Sequence, residues 1–136
     1  LDTPEVQALY DGLDARWDAR AARLNQRLEA AGLPVRVANL STIWTVLYTC
    51  PSRYNWMFQY YLRAEGLALS WVGSGRLIFS LNYTQADFDA VADRFVAAAR
   101  AMQAGGWWWT PAGASGKTIK RRLARELLQR LTGRRA

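Results

Sequence analysis

Apolar residues recur along the first third of the chain at helical spacing. Val6, Leu9, Leu13, Trp17, Leu24 and Leu28 follow one another at steps of three, four and seven, one stripe of an amphipathic helix. Thr3 and Pro4 supply an N-cap and a first helical residue, so the pattern predicts one helix from there to Ala31. Gly32 suits the left-handed conformation that closes a helix, and Pro34 forbids its continuation. The period then drops to two. Val35–Asn39 alternates and Ile43–Thr49 is β-branched and aromatic, which predicts two strands. Asn55–Glu65 reads as an aromatic helix ended by Gly66. Leu67-Ala68-Leu69 predicts a short strand and Arg76–Leu81 another, with Gly73-Ser74-Gly75 as a tight turn between them.

Helical spacing returns after Thr84-Gln85-Ala86-Asp87, a capping-box start. Phe88, Val91, Ala92, Phe95, Val96, Ala99 and Met102 form the stripe, which Gly105-Gly106 breaks. A last helix begins near Thr118 with Ile119, Leu123, Leu127, Leu128 and Leu131 on one side. The order is α-β-β-α-β-β-α plus a C-terminal basic helix. It predicts an α+β fold, a small, mostly antiparallel sheet covered by helices on one face. The expected organisation is a body over residues 1–104, a linker over 105–116 and a basic amphipathic tail helix over 117–136.

Composition refines this picture. The chain has 136 residues, 51% of them hydrophobic, which suffices for one core without metal or disulfide support. Cys50 is the only cysteine, and no secretory leader or membrane-spanning run is seen, so a reducing, cytoplasmic setting is expected. The chain starts at Leu1 instead of a methionine and reads as a piece of a longer protein. The net charge of +7 resides in the tail: from Gly116 onward there are eight cations and one acid, whereas ten arginines and ten acids cancel in the body. The tail could dock on an anionic surface. The simpler reading is a helix packed on its own domain with a solvated charged face, and no nucleic-acid partner is expected.

The chain contains no histidine, so metal sites and histidine-assisted nucleophiles lose their commonest residue, and no metal is expected. Its two lysines, Lys117 and Lys120, both lie in the solvated basic run, where nothing would lower an amine pKa for Schiff-base chemistry. No catalytic residue is therefore assigned. Gly113-Ala114-Ser115-Gly116-Lys117-Thr118 ends like a phosphate-binding loop, but Pro111 occupies the position of the first motif glycine and no strand precedes it. Three consecutive tryptophans, Trp107 to Trp109, cannot share one face, and at least one is expected to pack inward. Asp87, Asp89 and Asp93 sit in the first turns of a helix and complement its dipole without forming an acid–base pair.

From Trp17 to about Met102 the sequence resembles the C-terminal small domain of class III, fold-type-I aminotransferases, in the flavour of glutamate-1-semialdehyde aminomutase. The segments that carry the resemblance are RLNQRLEAAGLPVRV (Arg23–Val37), NLSTIWTVLYT (Asn39–Thr49), LRAEGLALS (Leu62–Ser70) and LIFSLNYTQADFDAV (Leu77–Val91). Tyr83 stands where the family pattern has a histidine, and Ile78 where many members place a carboxylate-binding arginine; Arg76 is nearby. The resemblance implies a pyridoxal 5'-phosphate enzyme, homodimeric as a whole, whose large domain in the same chain holds the cofactor. This portion would bind none alone. It would cover the active-site cleft and shape the substrate entrance while the parent transfers or shifts an amino group. Ser70, Trp71, Ser74 and Arg76 would form the substrate-channel rim, with Ser41 and Thr42 as candidate cleft-facing residues. The alternative is a free-standing α+β binding module that docks an acidic partner or anionic surface through its basic tail.

Overall fold

A computed structural model describes residues 3–68, 75–110, 113 and 115–132. The expected α+β architecture is present. Helices α1 (Pro4–Tyr10) and α2 (Leu13–Ala30) precede strands β1 (Val35–Leu40) and β2 (Ile43–Tyr48). A 3₁₀ turn at Asn55–Met57 leads into α3 (Phe58–Ala64), followed by β3 (Arg76–Ile78), α4 (Gln85–Ala104) and α5 (Gly116–Thr132). The strands form one antiparallel sheet in the order β1-β2-β3.

Three expectations change. The first helix is two helices. Gly12 adopts φ 65°, a left-handed conformation that interrupts the ladder, and the Arg16 guanidinium donates to the Asp11 carbonyl across the break. The stripe survives the interruption because Leu13 and Trp17 resume on the inward side, while α1 buries none of its residues. The strand expected at Leu67-Ala68-Leu69 is also absent over Leu67 and Ala68; Leu69 lies outside the described residues. Leu67 donates its backbone N–H to the Leu62 carbonyl at 2.8 Å, which closes α3 and leaves that donor unavailable to a sheet. Gly66 precedes it at φ 84°, and Leu67 drops into the core.

The same device ends α2, where Gly32 at φ 64° is followed by buried Leu33 bonding to the Leu28 carbonyl. It recurs after α4, where Gly106 at φ 74° is followed by Trp107 bonding to the Met102 carbonyl. β3 is shorter than expected. Phe79 N–H still donates to the Thr42 carbonyl at 3.0 Å, but a turn at Leu81-Asn82 then carries the chain to α4. That helix starts as the sequence predicts. The Thr84 hydroxyl accepts from Asp87 N–H, and the Asp87 carboxylate accepts from Thr84 N–H.

The core lies between one face of the sheet and α2, α3 and α4. Val35, Val37, Trp44, Val46 and Leu77 point into it from the strands. Trp17 is its aromatic centre, stacked on Phe79 at 5.0 Å and edge-on to Trp44 and Phe88. Burying each such ring contributes roughly 1.5–3 kcal/mol. Arg20, buried on α2, closes this cluster. Its guanidinium lies 4.6 Å from the Trp17 ring centroid and 5.4 Å from that of Phe88, and donates to the Tyr83 carbonyl and to Gln85 Oε1. A second ring set joins Tyr48, Phe58, Phe95 and Trp108.

Candidate functional site

Strand alternation sends every second residue of the sheet away from the core. The register places Leu40 opposite Ile43, Ile43 opposite Ile78, Ala38 and Arg76 opposite Thr45, and Arg36 opposite Leu47. These residues share the outward face, and no described helix packs on it. Leu40 and Ile78 are 79% and 72% exposed, and Ile43 and Leu47 are about half exposed. β2 is thus apolar on both faces, the pattern of a strand meant to be covered twice.

Two arginines border this apolar strip. Arg36, half-buried, donates to the carbonyls of Leu33 and Val35 and lies 3.9 Å from Glu29, so it is committed to the end of α2. Arg76 is exposed at the start of β3. It borders two hollows: one on the sheet face with Ala38, Leu40, Ile43 and Thr45, the other at the sheet edge with Gly66, Leu67, Tyr83 and Val91. Of the rim residues expected from the sequence, Arg76 alone is described; Ser70, Trp71 and Ser74 lie outside the described residues.

Ser41 and Thr42 form the two-residue turn of the β1–β2 hairpin, with Ser41 at φ 52°. Both are half-buried. The Ser41 carbonyl accepts from Trp44 Nε1 at 3.2 Å and from Asn39 Nδ2 at 3.3 Å, while its hydroxyl oxygen is buried without a hydrogen-bond partner among the described residues. The turn and Arg76 lie at opposite ends of the β2–β3 ladder. Thr42 pairs with Phe79 at one end and Val46 with Gly75 at the other, about 13 Å apart along the strand. Ser41, Thr42 and Arg76 therefore border one face without meeting at one point.

The acids that could suggest acid–base chemistry have structural work. Asp87 caps α4, and its hydrogen bonds from the Thr84 side chain and backbone hold its carboxyl below the ordinary range. Asp89 accepts from Gln85 at 2.8 Å, and Asp93 pairs with Arg27 at 2.6 Å across to α2. Burial pushes the Cys50 thiol up, away from thiolate character. Among the described residues no group of His, Cys, Asp and Glu could hold a metal ion. The phosphate-loop-like segment acts as a helix start: Ser115 and Thr118 exchange backbone-to-hydroxyl hydrogen bonds at the head of α5.

The tryptophan run divides as three consecutive residues must. Trp107 packs on Tyr54 at 5.1 Å and Trp108 on Phe58 at 5.4 Å, both half-buried, while Trp109 is about half exposed. Ser52 donates to the Trp107 carbonyl at 2.8 Å and fixes the segment on the body.

The outward sheet face was absent from the sequence-predicted site apart from Arg76. Its signal lay in the string Ile-Trp-Thr-Val-Leu-Tyr, where apolar residues stand on both faces, Ile43 and Leu47 on one and Trp44 and Val46 on the other.

No protein-family model matches this chain, and no curated protein matches it. Among solved structures it is similar to an omega-transaminase from Sphaerobacter thermophilus, with 18% identity and a TM-score of 0.56 over 68% of this chain. It is also similar to a transaminase with PLP bound, with 19% identity and a TM-score of 0.59 over 77% of this chain. The matched region spans only 24% and 25% of those chains. The fold described here is thus one found within transaminases, as about a quarter of their length.

Proposed function

We propose that this chain is the C-terminal small domain of a pyridoxal-phosphate-dependent transaminase or aminomutase of class III. In this reading it covers the active-site cleft of a large domain, excludes water from it and shapes the substrate entrance. The observation that carries the reading is the open apolar face of the sheet. Leu40, Ile43, Leu47 and Ile78 expose side chains that a sheet covered on both sides would bury. The similarity in fold to a quarter of two transaminases supplies the covering body: the remaining three quarters of such a protein.

The residues present do not make a site for pyridoxal phosphate. That group is held covalently by a lysine amine in a desolvated pocket. Lys117 and Lys120 are both exposed on α5. No step of the reaction is therefore assigned to this chain. Its part is to bind and to exclude. The apolar strip seats against the large domain, and Arg76 at the border offers a cation to an anionic group of an entering amino or keto acid.

The test uses the longer reading frame that contains Leu1–Ala136. Its product should take up pyridoxal phosphate and move an amino group between an amine and a keto acid. Within it, Arg76→Ala should raise KM for a carboxylate-bearing acceptor about tenfold while cofactor uptake stays unchanged. A frame no longer than this chain, or borohydride fixation of one cofactor per molecule at Lys117 or Lys120, overturns the proposal.

A further inference from the structure

The C-terminal helix presents a surface that the proposed covering role does not use. One side of α5 faces the body across an open groove and is tied to it by the Arg53–Glu126 ion pair. Ile119, Arg122, Leu123 and Glu126 recur at steps of three and four and line a groove with Tyr54 and Trp109. Glu126 is the only acid after Gly116. Its carboxylate lies 3.4 Å from Arg53 and 3.5 Å from Arg122, so the tail's one negative charge is turned inward and neutralised. The rotation of the helix follows from that seating. At 3.6 residues per turn, Lys117, Lys120, Ala124, Leu127 and Leu128 then share an arc of about 100° on the other side, with Arg121 and Arg125 beside it. All seven are exposed, Leu127 and Leu128 at 61% each.

We propose that this outward face of α5 lies on the surface of an anionic lipid bilayer. The face holds four cations and no acid, and each Lys or Arg near an anionic leaflet is drawn toward its surface potential. Leucines interleave with the cations, and they discriminate between acidic occupants. A nucleic acid would take the charges and leave Leu127 and Leu128 in water. A bilayer takes both, with the ammonium and guanidinium groups among the headgroups and the leucines at the acyl boundary. The face is also a convex ridge, while the groove beside α5 lies on the body side, so its shape suits a flat surface better than a partner helix. Among the described residues no helix is long and apolar enough to cross a membrane, so the contact is peripheral.

Co-sedimentation of the full chain with vesicles tests this, with circular dichroism to confirm that each variant is folded. At about 0.1 M salt, vesicles of phosphatidylcholine with about one third phosphatidylserine should bind at least about tenfold tighter than phosphatidylcholine alone, and about 0.5 M salt should abolish the difference. The charge-reversed variant Lys120→Glu/Arg121→Glu/Arg125→Glu should lose binding. Leu127→Ser should weaken vesicle binding about three- to tenfold and leave affinity for polyglutamate unchanged. Absence of vesicle binding by the folded chain, equal binding to neutral vesicles, or retention by the charge-reversed variant overturns the proposal. So does polyglutamate or duplex DNA binding as tightly as the vesicles at matched charge, which would assign the face to an acidic macromolecule.

Discussion

The two faces of the three-stranded sheet are built from the same strands and nearly the same residue types, yet one is sealed and the other bare. On the covered side, Val35, Val37, Trp44, Val46 and Leu77 are all at least nine-tenths buried beneath helices. On the open side, Ile43 and Leu47, immediate neighbours of Trp44 and Val46, are about half exposed, and Leu40 and Ile78 more so. β propensity does not distinguish them. What differs is whether anything among the described residues is placed to cover them. Stability of the isolated domain should therefore depend on one face, and its association on the other.

The sharpest way to break this contrast is Trp44→Ala. Trp44 contacts Trp17, Phe79 and Phe88, and truncation leaves a cavity in the middle of that cluster. The expected loss is about 3–5 kcal/mol, measured as a fall in urea midpoint at constant slope, and a protein of ordinary margin would be close to unfolding. A loss below about 1 kcal/mol would mean that the covered face is no more important to stability than the open one.

Arg20→Met probes the edge of the same cluster. Methionine retains much of the stem's volume but removes the cation above Trp17 and Phe88 and the hydrogen bonds to Tyr83 and Gln85 that tie the β3–α4 connection to α2. Burial, and then the charge of Arg16, pull the guanidinium below its ordinary value, although it stays charged throughout the physiological range. Removing a buried charge offsets part of the loss, which leaves about 1–2 kcal/mol in the same urea measurement.

How much of this was legible in the sequence depends on the range of each interaction. α4 was readable from its stripe and capping box because both are local; so were the β1 and β2 strands. The break at Gly12 was obscured because Leu13 and Trp17 keep the apolar stripe in step, although Asp11-Gly12 is itself a turn signal. Leu67 looked like a strand residue because a buried leucine is consistent with either a sheet or a helix cap; only its hydrogen bond to Leu62 decides. Arg20 carried no signal at all. An arginine among Asp18, Arg16 and Arg23 reads as surface, and its burial depends on Tyr83 and Gln85, more than sixty residues away. For the site, Arg76 is expected at a rim from its place beside a turn and from the family resemblance, whereas the apolar strip gives no polar signal, because a single isoleucine on a strand reads the same whether it is covered or bare.

Tyr48 extends the comparison into alkaline solution. It lies on the covered side opposite Val35 and edge-on to Phe58, and burial pushes its phenol up to about 12. The unfolded value is about 10, so the protonated phenol is favoured in the folded state. The resulting stability is fully present below about pH 10 and is lost as pH rises through about 12. Tyr48→Phe should remove the latest component of the tyrosinate absorbance titration and flatten the fall of the urea midpoint over that window. If the titration is unchanged in the variant, the covered face does not exclude water at this end.

The smallest expected effect on stability belongs to Ile78→Ser, and it is informative because it is small. Ile78 faces outward, opposite Ile43 on the bare strip, and is already 72% exposed, so replacing it removes little buried surface. The urea midpoint should move by no more than about 0.5 kcal/mol. The concentration at which the isolated chain begins to associate should nonetheless rise, because the serine interrupts a continuous apolar patch between Leu40, Ile43 and Leu47. Light scattering across a dilution series measures it. A destabilisation approaching that of Trp44→Ala would mean that this chain itself covers the outward face in solution, and the argument for a separate covering body would fail with it.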